Sequence, residues 1–164
     1  MSNELTYIRY DAALENTYVP AMRSLISQQL SEPYSIYVYR YFLYQWGELC
    51  YLAMDKSRPE NDQMVGVVVS KLEPHRGGPL RGYIAMLAVR EEYRGKGIAT
   101  RLVRMSIDAM IEREADEVCL PVVKLGMGAD DCRLRSRQKS QILLLSSCTR
   151  DLASCGVSGY IGTT

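Results

Sequence analysis

Apolar and polar positions change period several times along this chain, and each change marks an element. Tyr7-Ile8-Arg9-Tyr10 alternates weakly and predicts a first edge strand. Val19, Met22, Leu25, Ile26, Gln29 and Leu30 then trace one helical face, with Thr17 as N-cap and Pro20 in the first turn. Pro33 disfavours helix at Glu32 and breaks this element, and Ser35 caps a second helix that runs through Tyr44. Leu49–Met54 reads as a strand, Asp55–Asp62 as a charged turn and Met64–Leu72 as a strand rich in valine, together a hairpin. Glu73–Leu80, with Pro74, Gly77, Gly78 and Pro79, returns the chain into a central strand from Arg81 to Val89. Ile98, Leu102, Val103, Met105, Ile107 and Met110 restore helical spacing, and a further strand follows at Asp116–Leu120. The layout is α+β: an antiparallel meander flanked by helices that ends in a strand-turn-helix unit.

The turn inside that unit, Arg94-Gly95-Lys96-Gly97-Ile98-Ala99, carries the clearest chemistry. A helix start leaves its first N–H groups without intrahelical partners and holds the positive end of the helix dipole, so it attracts anions. Gly95 and Gly97 allow backbone conformations closed to other residues, small Ala99 keeps the first turn open, and Arg94 and Lys96 add charge at the rim. A Walker A loop is excluded because Gly97, not Ser or Thr, follows Lys96. A dinucleotide fingerprint fails at Thr100, its third small position, and lacks a second nucleotide-binding half. The plainer alternative is a solvated basic turn, against which the strand before it and the helix after it both weigh.

Composition narrows the class. The chain has 164 residues, 47% hydrophobic and 24% charged, with a formal net charge of +1. One domain with a real core fits that length, and there is no global basic field of the nucleic-acid-binding kind. No run approaches the roughly 20 apolar residues of a membrane span. Five cysteines without metal-type pairing imply reduced thiols in the cytoplasm. His75, the single histidine, lies in a Pro- and Gly-rich turn with no Cys or second His spaced to share a metal, so no metal site is expected. The character of the chain shifts near residue 120. Lys and Arg number 14 against 16 Asp and Glu up to Val118, then 6 against 3 from Cys119 to Thr164. Four of the five cysteines but one of the twelve tyrosines lie in that last segment.

The spacing R-x-x-G-x-G/A after an apolar strand resembles the acetyl-coenzyme A signature of the GNAT acyltransferase family. Within it, Leu30-Ser31-Glu32-Pro33-Tyr34-Ser35-Ile36-Tyr37, Tyr39-Arg40-Tyr41-Phe42, Leu52-Ala53-Met54 and Arg81-Gly82-Tyr83-Ile84-Ala85-Met86-Leu87 resemble the catalytic subunits of N-terminal acetyltransferase C (NatC) complexes. The similarity runs from about Tyr7 to Val118. It implies a GNAT fold, a mixed sheet flanked by helices, and acetyl transfer from acetyl-CoA to the α-amine of proteins that begin with Met and a bulky apolar residue. By the same resemblance the backbone of Leu87, Ala88 and Val89 binds the pantetheine arm. Arg94, Gly95, Lys96, Gly97, Ile98, Ala99 and Thr100 bind the pyrophosphate. Glu32 and Tyr34 belong to the peptide-binding loop, and Tyr83 stands where some relatives carry a catalytic tyrosine. The implied partners are nascent protein N-termini and one large and one small auxiliary subunit at the ribosome, in the cytoplasm, with no direct nucleic-acid or membrane contact.

An α-amine has a pKa of roughly 7.7–8.0 and must lose a proton to attack a thioester. Tyr83 suits a relay through water, Glu32 an anchor for the ammonium, and a strand N–H near Val89 a donor to the oxyanion. A packed aromatic on a half-buried strand accounts for Tyr83 equally well. The resemblance stops after Leu120. The family continues with an acidic strand end, a helix bearing a tyrosine and a Gly-Phe pair, whereas this chain reads Pro121-Val122-Val123-Lys124-Leu125-Gly126. Residues 1–120 therefore read as a GNAT domain incomplete at its C-terminal end, and 121–164 as a divergent, poorly ordered tail with a solvated basic run from Arg133 to Lys139. Two readings stay open: an acetyltransferase subunit, and a subunit of the same origin that binds coenzyme or partners without efficient transfer. A small-amine acetyltransferase is a third.

Overall fold

The protein was analysed as a computed structural model that describes residues 5–29, 34–119 and 133–135. Among these, β1 (Leu5–Arg9), β2 (Tyr51–Asp55), β3 (Met64–Pro74), β4 (Leu80–Val89), β5 (Glu117–Cys119) and β6 (Arg133–Arg135) form one sheet in chain order. Every pairing is antiparallel except β4 with β5. The parallel step is forced by α3 (Ile98–Glu112), which carries the chain back so that β5 starts at the same end as β4.

Helices α1 (Glu15–Gln29) and α2 (Ile36–Trp46) cover one face and α3 the other, so the core has two layers. Val19, Met22, Leu25 and Ile26 of α1 join Tyr39 and Leu43 of α2 over Leu52, Val67 and Met86. On the opposite face Ile98, Leu102, Ile107 and Met110 of α3 pack on Ala53, Val68, Ile84 and Val118. Gly66 permits this approach, since a β-carbon there would lie 3.1 Å from both Ile98 and Leu102. Ser70 and Ser106 are two of the buried polar residues in this layer. Their hydroxyls lie 2.7 Å apart and both reach the Leu49 carbonyl, which leaves neither unpaired in an apolar surrounding.

Several boundaries differ from the sequence expectation. Thr17 is not an N-cap: α1 begins at Glu15, fed by a 3-10 turn whose Asp11 carboxylate accepts the Ala13 N–H at 2.9 Å. Pro20 consequently falls inside α1 rather than in its first turn, where it removes one backbone bond. Ser35 does occupy the N-cap of α2, although its side chain makes no capping bond, and the helix continues past Tyr44 to Trp46. Ile36 and Trp46 are half-buried, and the Trp46 indole donates to the Leu72 carbonyl at 2.8 Å. Asp55, read as a turn residue, ends β2 and is fully buried. Three residues of the basic run read as solvated, Arg133–Arg135, pair with β5. The rest of the segment from Leu120 onward, like Glu32, lies outside the described residues.

Candidate active site

β4 and β5 run together only over Arg81, Gly82 and Tyr83. The Arg81 guanidinium and the buried Glu117 carboxylate pair across this junction and close its lower end. Two residues past Tyr83 the register of β4 against β3 shifts between Val69 and Ser70, which leaves Ala85 as an extra residue. Such a bulge bends its strand. Beyond it, among the described residues, nothing pairs with β4 on the β5 side.

The ladder then decides which peptide groups face that open side. The Arg90 N–H donates to the Val65 carbonyl at 2.9 Å, and Gly66 and Val68 stand opposite Val89 and Leu87. Hydrogen-bonded and non-hydrogen-bonded pairs alternate in an antiparallel ladder. Leu87 and Val89 therefore turn their N–H and C=O groups away from β3, toward the β5 side of the strand, while Ala88, opposite Val67, turns its own back to β3.

The glycine turn lies directly below. Gly95 and Gly97 have φ of 75° and 74°, the left-handed region, and a β-carbon at either would meet no atom within 4 Å. They serve the backbone path and leave open space, the situation a bulky anion needs. The first intrahelical bond of α3 runs from the Arg101 N–H to the Gly97 carbonyl, and no side chain caps the helix. The Ile98 and Ala99 amides thus precede the ladder, with the dipole behind them. The Ile98 side chain is buried in the core, so this residue offers only its backbone, while Ala99 and Thr100 are half-buried. Arg94 and Lys96 are exposed at the rim. The Arg94 guanidinium meets the Gln29 amide oxygen at the end of α1, and the Lys96 ammonium sits 4.6 Å from the centre of the Tyr93 ring. This donor set fits a diphosphate: free amides, a dipole end, two cations and no carboxylate within the turn.

Tyr83 and Tyr34 come together near the part of β4 that pairs with β5. Both pack at the edge of the α1–α2 cluster, and Tyr34 stacks edge-on against buried Tyr39 at 6.4 Å. Burial, helped by the nearby Tyr34 phenol and Cys119 thiol, pushes Tyr83 up to about 12. It is a neutral phenol at any physiological pH, able to donate and accept hydrogen bonds but not to act as an anionic base. Lys71, opposite Tyr83 in the register, places its ammonium 5.8 Å from the Tyr83 ring. His75 lies half-buried in the β3–β4 turn, and among the described residues no group of His, Cys, Asp and Glu is arranged to hold a metal.

The sequence reading missed Asp55 and Tyr93. The Tyr93 hydroxyl donates to Asp55 Oδ2 at 2.5 Å, and the Ser57 N–H and hydroxyl donate to Asp55 Oδ1 at 2.9 and 2.6 Å. Those bonds, from Ser57 first and Tyr93 next, hold the Asp55 carboxyl below its usual range. A signal was present: Asp-x-Ser is an Asx-turn pattern, and Tyr93 is an isolated aromatic in a run of charges.

The acetyltransferase (GNAT) family pattern matches residues 19–130, and the chain belongs to that family. It is 52% identical over 103 residues to N-alpha-acetyltransferase 30 of Schizosaccharomyces pombe, and 48% identical over 117 residues to N-alpha-acetyltransferase 30 of Saccharomyces cerevisiae. These stretches cover 63% and 71% of this chain but 65% and 66% of the two relatives, so the match spans just under two thirds of their length. A chain of the NatC complex solved with Gag peptide and CoA superposes with a TM-score of 0.68 at 46% identity, covering 74% of this chain and 77% of that one. Among the described residues no helix is long and apolar enough to cross a membrane.

Proposed function

We propose that this chain is a NatC-type N-terminal acetyltransferase, moving acetyl from acetyl-CoA to the α-amine of proteins that begin with Met and a bulky apolar residue. The observation that carries the reading is the pair of β4 peptide groups, Leu87 and Val89, turned away from β3 on the strand that leads into an uncapped, glycine-lined helix start. One arm-shaped ligand with a diphosphate at one end would engage both. The likeness to a NatC chain solved with CoA and a peptide supports it.

In this reading the Leu87 and Val89 peptide groups pair with the pantetheine arm, and the turn from Arg94 to Ala99 with Thr100 takes the pyrophosphate. Acetyl-CoA supplies the thioester. The amine attacks its carbonyl, the oxyanion accepts the Val89 N–H, and the C–S bond breaks to release CoA as thiolate, which takes up a proton. Tyr83 passes the ammonium proton toward water as a neutral phenol, and Tyr34 with Glu32 receives the peptide terminus. The exposed stripe Tyr37, Tyr41 and Tyr44 on α2 is the surface offered to auxiliary subunits in the cytoplasm. The test incubates the chain with acetyl-CoA and a Met-Leu peptide and follows acetylated peptide by mass. Transfer to Met-Leu but not to Ser-Glu peptides is expected.

A second reading, coenzyme binding without efficient transfer, draws on one observation. The β5 carboxylate, Glu117, is tied to Arg81, and Cys119 rather than an acid neighbours Tyr83. Loss of a positioned acid–base group costs roughly 10²–10⁴ in rate. CoA binding with no detectable transfer would select this reading.

A further inference from the structure

The β4–α3 connection does not rest on the sheet by apolar packing alone. Arg90, its first residue, donates Nε to the Met64 carbonyl at 2.9 Å and pairs with Asp62. Arg58 pairs with the same Asp62, and reaches Glu92 at 3.3 Å. Between them Tyr93 is driven inward, 6% exposed, and its hydroxyl ends on Asp55, which is fully buried. The same ring also carries Lys96, whose ammonium lies 4.6 Å from its centre. The β2–β3 turn thus grips the segment immediately before Gly95, and the ring it fixes carries one of the two cations at the turn's rim.

We propose that Tyr93, keyed by Asp55, is a positioning residue for the coenzyme diphosphate: it seats the Gly95–Gly97 turn and holds Lys96 over its ring, beside the phosphate site. This rests on the coenzyme reading above. The argument is one of economy. A buried carboxylate and a buried phenol are each costly unless paired, and a leucine would fill the same core without either. What the pair adds is a fixed direction. The ring can neither slide nor turn, so the backbone that leads into two flexible glycines is fixed at its last rigid point. A cation resting on a held ring is pre-ordered for an anion and loses less freedom when the anion binds.

The test compares two ligands that share an arm but not a diphosphate. Binding of CoA and of S-acetylpantetheine to the full chain is measured by calorimetry for the unsubstituted protein, Tyr93→Phe, Lys96→Met and the double variant. Tyr93→Phe keeps the ring and removes one oxygen, so it serves even if Asp55→Asn does not fold. The expected result is a Kd for CoA raised about tenfold in Tyr93→Phe, equivalent to about 1.4 kcal/mol. S-acetylpantetheine should stay within about twofold, and the double variant should bind CoA less weakly than the product of the two single effects. Equal loss for both ligands would make Tyr93 a general packing residue, and no loss for either would make it irrelevant to binding; each overturns the proposal. A double variant weakened by the full product of the single effects would overturn the route through Lys96. If the unsubstituted chain binds no CoA, the coenzyme reading itself fails and the proposal with it, which is distinct from normal binding that Tyr93→Phe leaves intact.

Discussion

The two faces of the sheet are held in different ways. On the α3 side, the segment before the glycine turn and the helix that follows it are fixed by directional bonds: Tyr93 to Asp55, Arg90 to Asp62 and Met64, Ser70 and Ser106 to Leu49. On the α1–α2 side aliphatic side chains and tyrosines do the packing, and one tyrosine, Tyr10, is buried with no hydrogen-bond partner for its hydroxyl among the described residues. The first arrangement fixes a geometry, which the proposed diphosphate site would require. The second fills volume and leaves Tyr37 and Tyr44 76% and 64% exposed, a surface suited to adaptable contact.

Truncating one core residue on each face should give the largest effects and test whether the faces form one cooperative unit. Leu102→Ala and Met22→Ala remove side chains that are fully buried, and each should cost about 2–5 kcal/mol in urea unfolding. A single transition in both, shifted alike, is expected; loss of α1–α2 signal ahead of α3 signal in Met22→Ala would show the faces to be uncoupled.

Alkali should bear next, and mainly on the tyrosine face. Burial pushes Tyr10, Tyr39 and Tyr83 up to about 12 from the ordinary 10.0. Between these values the unfolded chain releases protons that the folded chain keeps, so stability is intact below 10 and falls as pH rises toward 12. For Tyr39, 1% exposed, the share is at most on the order of a few kcal/mol. Urea midpoints compared at about pH 9 and about pH 11 should drop, and less so in Tyr39→Phe.

Gly97→Ala sharpens the contrast from the coenzyme side. At φ 74° a β-carbon meets no protein atom, so the folding cost is limited to about 1–2 kcal/mol of backbone strain. The methyl enters the proposed phosphate space, and CoA affinity should fall by more than that strain alone accounts for. The smallest effect belongs to Tyr10→Phe, which deletes an unpartnered buried hydroxyl. Stability should be unchanged or rise by up to about 1 kcal/mol, a sign opposite to that of Tyr93→Phe, whose oxygen is bonded.

What could be read in the chain was local. The Arg94–Ala99 turn and the α3 face need only neighbours within one or two turns, so glycines and helical spacing announce them. The meander was legible because valine-rich strands separated by Pro- and Gly-rich turns pair with their neighbours. The start of α1 was not, since Asp11, Thr17 and Pro20 compete as local signals and packing of Val19 and Met22 settles the matter in favour of an earlier start.

The sequence by itself determined the order of elements up to β5, the mixed α+β class and the presence of a basic, glycine-lined helix start, because each follows from periodicity and from backbone freedom at Gly95 and Gly97. Only the tertiary structure decided which peptide groups of β4 face away from β3, that the strand carries a bulge at Ala85, and that Tyr93 rests on Asp55. These depend on register between strands and on partners 38 residues apart. Contacts at that distance leave no periodic trace in a chain, since any residue pair that the sheet happens to align can make them.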